Sequence, residues 1–287
     1  MNTTVQRLLI FFIGIPTVVA IVLYNPYNHL LLHLVITFVT FIAVTEIYHL
    51  VAQKQALLPY TAVIIVSLSL PAAALLCSVF TLPYQYIEYL CILCVFIFFY
   101  FSIFHFHGGK HTESPFDQVI SQISGSAFVM LYGAYLLTYL ARMTVWQHSS
   151  LYITAFLVMI FMCDSIAWLF GMLLGKNNKG KVLASPNKSI AGFIGGFIGS
   201  AVSALVITAL FPDFCHGSYA TAALLAVIVA AAGILGDLAE SACKRSAHCK
   251  DSGHVILGRG GILDSIDSIL FAAPVYYVVL SLFIGVS

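Results

Sequence analysis

Long apolar runs alternate with short polar breaks along the whole chain. A membrane-crossing helix takes about 20 such residues. Windows of that size predict about nine spans, at roughly 6–24, 29–51, 57–78, 85–106, 120–141, 150–175, 190–211, 218–242 and 262–285. Pro and Asn punctuate several breaks, as in Asn25-Pro26-Tyr27-Asn28. The first run, near Leu8 to Tyr24, has no clear small-residue cleavage site and reads as a first transmembrane helix instead of a removed signal. No internal repeat or low-complexity segment interrupts the pattern. The predicted fold is all-α, a polytopic integral membrane helical bundle.

Composition agrees. The 287 residues are 61% hydrophobic and their mean hydropathy is +1.02. No polar stretch is long enough for a separate soluble domain, and with a net charge of +1 nothing argues for nucleic-acid binding. Basic residues set the orientation. With the N-terminus in the cytoplasm, that side holds Arg7, Lys54, Lys110, Lys176, Lys179, Lys181, Lys188, Lys244, Arg245, Lys250 and Arg259, against Arg142 alone on the other.

Charge is scarce, at 8% of residues, yet nine of the 23 Asp, Glu, Lys and Arg lie between Gly236 and Ser268. Charges so close to hydrocarbon are costly and mark a functional site by default. If the segment before Lys250 is helical, Asp237, Glu240, Ser241 and Lys244 share a face. Asp264 and Asp267 share a face of the next helix. A loop with Lys250, Asp251, Arg259, Gly260 and Gly261 joins them. Carboxylates hold hard cations such as Mg²⁺, which hold phosphates. Lys, Arg and free backbone N–H groups take phosphate oxygens directly. These are the parts of a metal-assisted phosphoryl or nucleotidyl transfer site. Asp237 and Asp264 are the first candidate metal ligands, and Asp251 and Asp267 the next.

Other polar positions leave alternatives open. Glu46, near the end of the second span, is either a hydrogen-bonded helix-end acid or a contributor to the site. His105, His107 and His111 read as a solvated turn. Cys91 and Cys94 are a C-x-x-C by spacing alone, inside a lipid-length helix. The aromatic run Phe96–Phe106 reads as lipid-facing or packing surface. Asp164 sits mid-span, either bonded to a neighbouring helix or completing a polar pocket. Lys176, Lys179 and Lys181 serve as orientation signals, a patch for anionic headgroups or part of the site. Lys188 is flanked by Ser185 and Ser189 where a helix begins, which makes an anion site. Gly192, Gly195, Gly196, Gly199 and Ser200 follow at small-residue spacing and predict close helix packing. Residues 1–115 thus read as scaffold helices and 116–287 as the catalytic region of one integrated unit.

The ordered pattern Ser241-Ala-Cys-Lys244-Arg245, Lys250-Asp251-Ser-Gly253, Gly258-x-Gly260-Gly261 and Asp264-x-x-Asp267 resembles the signature of CDP-diacylglycerol synthases (phosphatidate cytidylyltransferases). Asp164-Ser165-Ile166-Ala167-Trp168 looks like that family's Asp-Thr-x-Ala-Tyr block, and Ser185-Pro186-Asn187-Lys188-Ser189 like its Ser-Pro-x-Lys-Thr block. The chain departs from the pattern at Arg259, Ser265 and Ile190-Ala191. The resemblance implies transfer of cytidylyl from CTP to phosphatidate in phospholipid synthesis. Asp237, Lys244, Arg245, Lys250, Asp251, Asp264 and Asp267 would then form the catalytic set. Asp164, Ser185, Lys188, Ser189, Glu240, Ser241, Arg259, Gly260 and Gly261 would bind substrate. Mg²⁺ is the implied cofactor, with a second cation, monovalent ions included, left open. A homodimer in a bacterial inner membrane, its site at the cytoplasmic face, is also implied. Polyprenol kinases and CDP-archaeol synthases share this logic and are the nearer rivals. An ion-coupled transporter is the more distant one, since it would spread its acids through several helices.

Overall fold

The computed structural model describes residues 13–104, 116–180, 182–253 and 260–286. Within them the chain forms nine helices and no β-strand. They are α1 (Ile15–Leu23), α2 (Pro26–Ala52), α3 (Tyr60–Val79), α4 (Gln85–Phe104), α5 (Val119–Val145), α6 (Ser149–Leu174), α7 (Ile190–Leu210), α8 (Tyr219–Ser246) and α9 (Leu263–Leu282). Helices α2 to α9 are each long and apolar enough to cross a membrane. The first predicted span falls partly outside the described residues, and α1 is its described part. An integral membrane, all-α bundle is therefore what the hydropathy pattern encodes.

Local chemistry explains the boundaries. Pro26 opens the segment assigned to α2. Tyr27, Asn28 and His29 then have φ of +52°, +53° and +61°, so regular helix begins only beyond them. Ser189 and Ser218 cap α7 and α8, accepting from Gly192 N at 3.0 Å and Thr221 N at 3.3 Å. Lys244 and Arg245 close α8, where cations favour the carbonyl end of the helix.

Successive helices run in opposite directions, so loops collect at two ends. One end ties His33 and Ser78 to Thr144, and His29 to Ser149. Arg142 is buried there, paired with Glu88 and 4.3 Å from the Tyr139 ring centroid. The other end holds every other described Lys and Arg: Lys54, Lys176, Lys179, Lys188, Lys244, Arg245 and Lys250. On α4, Phe96, Phe99, Tyr100 and Phe104 are exposed while Phe98 is buried, as a surface facing hydrocarbon requires. His105, His107 and His111 lie outside the described residues.

Glycines set how closely α6 and α7 approach. A Cβ at Gly199 would sit 2.5 Å from Met162 O, and one at Gly195 2.7 Å from Phe170 Cβ. Gly199→Leu is accordingly expected to destabilise the bundle by about 3 kcal/mol by overpacking. Thermal unfolding in detergent measures this, and an unchanged midpoint would contradict the packing. Gly236 does the same between α8 and α9, its Cβ position lying 2.5 Å from Asp267 O. The residue preceding Asp237 thereby brings the acidic helix α9 against α8.

Candidate active site

On α8, Lys244 and Glu240 meet Asp264 of α9, while Asp237 meets Lys188. Lys244 Nζ lies 2.5 Å from Glu240 Oε2 and 2.5 Å from Asp264 Oδ1, bridging the two helices. All three side chains are largely buried, at 13%, 1% and 7% exposed, so little solvent screens the bridge. Lys188, just before α7, pairs with Asp237. Buried Asp267 accepts from Ser268 N at 2.6 Å, and the carboxylates of Asp237, Asp164 and Glu240 act on it electrostatically. Asp164 of α6, Asp237 and Lys188 likewise act on Cys163. Helices α6, α8 and α9 and the start of α7 thus supply one polar cluster at one end of the bundle.

The Gly-rich loop folds back onto Asp264. Its Oδ2 accepts from Gly261 N at 2.7 Å, Ser252 Oγ at 2.9 Å and Ser252 N at 3.0 Å. Gly260 has φ +100°, a conformation only glycine adopts without strain, and a Cβ there would meet Asp264 Oδ2 at 2.5 Å. Asp251 is exposed, its Cβ 3.3 Å from that same position. Arg245 and Lys250 are exposed too. Arg245 reaches Ala184 O at 3.4 Å, joining the end of α8 to the loop before α7. That loop is drawn in by a single β-bridge between Lys179 and Ser189. Outside the spans, burial raises the Cys249 thiol above its ordinary range, and its Sγ faces Lys244 O at 3.6 Å. Arg259 lies outside the described residues. Ser265 Oγ is buried without a hydrogen-bond partner.

Two candidate substrate contacts also serve the fold. Ser189 was expected at an anion, and in this structure its hydroxyl caps α7. Gly261, a candidate substrate-binding residue, donates its N–H to Asp264 Oδ2. Two contributors had no sequence signal of their own. Tyr132, in a π-helical turn of α5, buries a hydroxyl without a hydrogen-bond partner, and Asp267 and Glu240 act on it electrostatically. Ser252 lies inside the Lys250–Gly253 motif but acts through Asp264 and Glu46. Glu46 proves to be a hydrogen-bonded acid whose partners are Ser252, Ile262 and Leu263.

Among the described residues no three His, Cys, Asp or Glu side chains are already gathered as a metal group. Lys188 meets Asp237, and Lys244 meets Glu240 and Asp264. The donor chemistry nonetheless fits a hard divalent cation. Asp237, Glu240 and Asp264 set three acids against Lys188 and Lys244, and Glu240 Oε1 is buried without a hydrogen-bond partner.

The sequence pattern of the Cytidylyltransferase family matches residues 5–283, nearly the whole chain. The chain belongs to this family. Relatives named phosphatidate cytidylyltransferase are similar over part of their length. The Staphylococcus saprophyticus protein is 41% identical over 126 residues, 44% of this chain and 47% of the relative. The Staphylococcus haemolyticus protein is 43% identical over 126 residues, with the same shares. The Bacillus subtilis protein is 40% identical over 139 residues, 48% of this chain and 50% of the relative. The chain spans about half the length of the curated relatives it matches.

Proposed function

We propose that this cytidylyltransferase-family protein transfers the cytidylyl group of CTP to phosphatidate, giving CDP-diacylglycerol and pyrophosphate for phospholipid synthesis. The single observation that carries the reading is the bridge of Lys244 between Glu240 and Asp264, set among further acids and exposed cations at one end of the bundle. That arrangement suits a reaction between two polyanions at a membrane surface.

A phosphate oxygen of phosphatidate attacks the α-phosphorus of CTP. A new P–O bond forms as the bond to pyrophosphate breaks. The attacking monoester is already ionised near pH 7, so no side chain must remove a proton. The barrier is charge repulsion and the charge left on pyrophosphate. Exposed Arg245 and Lys250 would take the triphosphate and the departing pyrophosphate. Lys188, 24% exposed beside the start of α7, would hold one phosphate, that of phosphatidate. Lys244 would contribute its charge from between the two carboxylates. Asp237 and Asp264 would hold Mg²⁺, with Asp251, Asp267 and Glu240 next. When bound, Mg²⁺ would neutralise phosphate charge and polarise the α-phosphorus. Asp164 would complete the pocket.

The same reading puts the site at the cytoplasmic face of a bacterial inner membrane, with the N-terminus inside, in a homodimer. Seven described basic residues at the site end, against Arg142 at the other, support that orientation. Bacterial relatives support the setting.

Purified protein given phosphatidate, Mg²⁺ and CTP labelled in cytidine or in the γ-phosphate provides the test. Thin-layer separation should show cytidine label on lipid and γ-label in pyrophosphate. Transfer of γ-label to lipid would mark a kinase instead. Label on lipid from neither would overturn the reading.

A further inference from the structure

Glu46 belongs to α2, far in sequence from the acidic cluster, yet it is only 5% exposed and all its partners lie at the site. Oε1 accepts from Ile262 N at 3.1 Å. Oε2 accepts from Leu263 N at 2.8 Å and Ser252 Oγ at 3.1 Å. A helix begins with N–H groups that its own turn cannot satisfy. Ile262 sits where α9 needs a cap and offers no side-chain acceptor. Glu46 supplies that acceptor from another helix, and its negative charge suits the positive end of the helix dipole. The backbone is shaped around it. A Cβ at Gly253 or Gly261 would overlap the Glu46 carboxylate. Ser252 Oγ also lies 2.9 Å from Asp264 Oδ2, so one hydroxyl links Glu46 to Asp264.

We propose that Glu46 is a positioning residue: a cap donated by the second span that holds the first turn of α9 and Ser252, so that Asp264 faces Lys244. The activity it serves rests on the cytidylyl-transfer reading; the capping role does not. Without the cap, the amides of Ile262 and Leu263 lose their acceptors and the Asp264 carboxylate gains freedom to turn. Binding of CTP through Arg245 and Lys250 should persist. The loss should therefore fall on kcat, with little change in KM.

Glu46→Gln keeps the size but turns an NH₂ toward backbone N–H donors. Glu46→Asp keeps the charge and shortens the reach. Two measurements apply to the full-length protein in detergent. Hydrogen exchange of Gly261, Ile262 and Leu263 should accelerate about tenfold in Glu46→Gln, and less in Glu46→Asp. kcat per folded molecule should fall about 10–100-fold with KM for CTP changed by less than about threefold, the size of effect expected for groups that orient a site. A purely structural role would lower the yield of folded protein and leave kcat per folded molecule unchanged. Unchanged exchange would overturn the cap. Faster exchange with unchanged kcat would overturn the positioning role. If Glu46→Gln does not fold, Glu46→Asp is read by the same two criteria. Failure of the wild-type protein to make CDP-diacylglycerol would defeat the proposed function, while the exchange result would still decide whether Glu46 holds α9.

Discussion

On the proposed cytidylyl transfer, Lys244→Ala should lose CDP-diacylglycerol formation by about 10³-fold, and it should also weaken the bundle. The ammonium bridges Glu240 and Asp264, which are 1% and 7% exposed. Removing one partner of a buried ion pair costs about 3–5 kcal/mol, because the remaining charge stays buried alone. Here two carboxylates would be left facing each other across α8 and α9. Stability and chemistry can be separated. Lys244→Ala combined with Glu240→Gln removes one stranded charge and should recover part of the unfolding midpoint in detergent. It should not recover activity, because the cation at the site is still missing. Lys244→Arg keeps the charge but replaces a compact ammonium by a planar fork, and should retain stability better than activity. Near-wild-type turnover in folded Lys244→Ala would contradict the assignment.

Asp264→Asn is the second large effect. Oδ1 faces Lys244, and Oδ2 accepts from Ser252 N, Ser252 Oγ and Gly261 N. An amide cannot satisfy both sides. With its oxygen toward the loop, its NH₂ meets the Lys244 ammonium, donor against donor. Turned over, its NH₂ meets two backbone N–H groups. The proposed Mg²⁺-dependent transfer should fall about 10²–10³-fold, the scale for losing one preorganised charge at a transition state. The chain should still insert, since hydropathy is unaltered. Activity measured across a Mg²⁺ titration, beside the fraction inserted, checks both halves. Normal activity at ordinary Mg²⁺ would refute the role given to Asp264.

Much of the fold was readable from residue order. Eight predicted spans match helices to within a few residues, because burying a backbone in hydrocarbon leaves the helix as the only way to satisfy its polar groups. The Gly192–Gly199 spacing announced a close helix contact, since small residues permit that approach, and the structure makes α6 the partner. The site was readable as a region. Asp237, Glu240 and Lys244 had to share a helical face, and charges that rare between apolar runs had to cluster at helix ends. The use each group makes of its neighbours was less readable. Ser189 caps a helix and Gly261 N–H donates to Asp264, contacts that the motif alone did not reveal. Tyr132 sat unremarked in an apolar run, because a phenol in a membrane helix carries no signal of what faces its hydroxyl.

By itself, then, the sequence determined that this is a helical membrane protein, and where along the chain its scarce charges gather. Periodicity and hydropathy are local properties, and they set spans and faces. Only the tertiary structure decided which carboxylate meets which cation, and that an acid at position 46 caps a helix 217 residues later. Hydrogen bonds and ion pairs act over a few ångströms through space, and chain order does not reveal that proximity until the helices have packed.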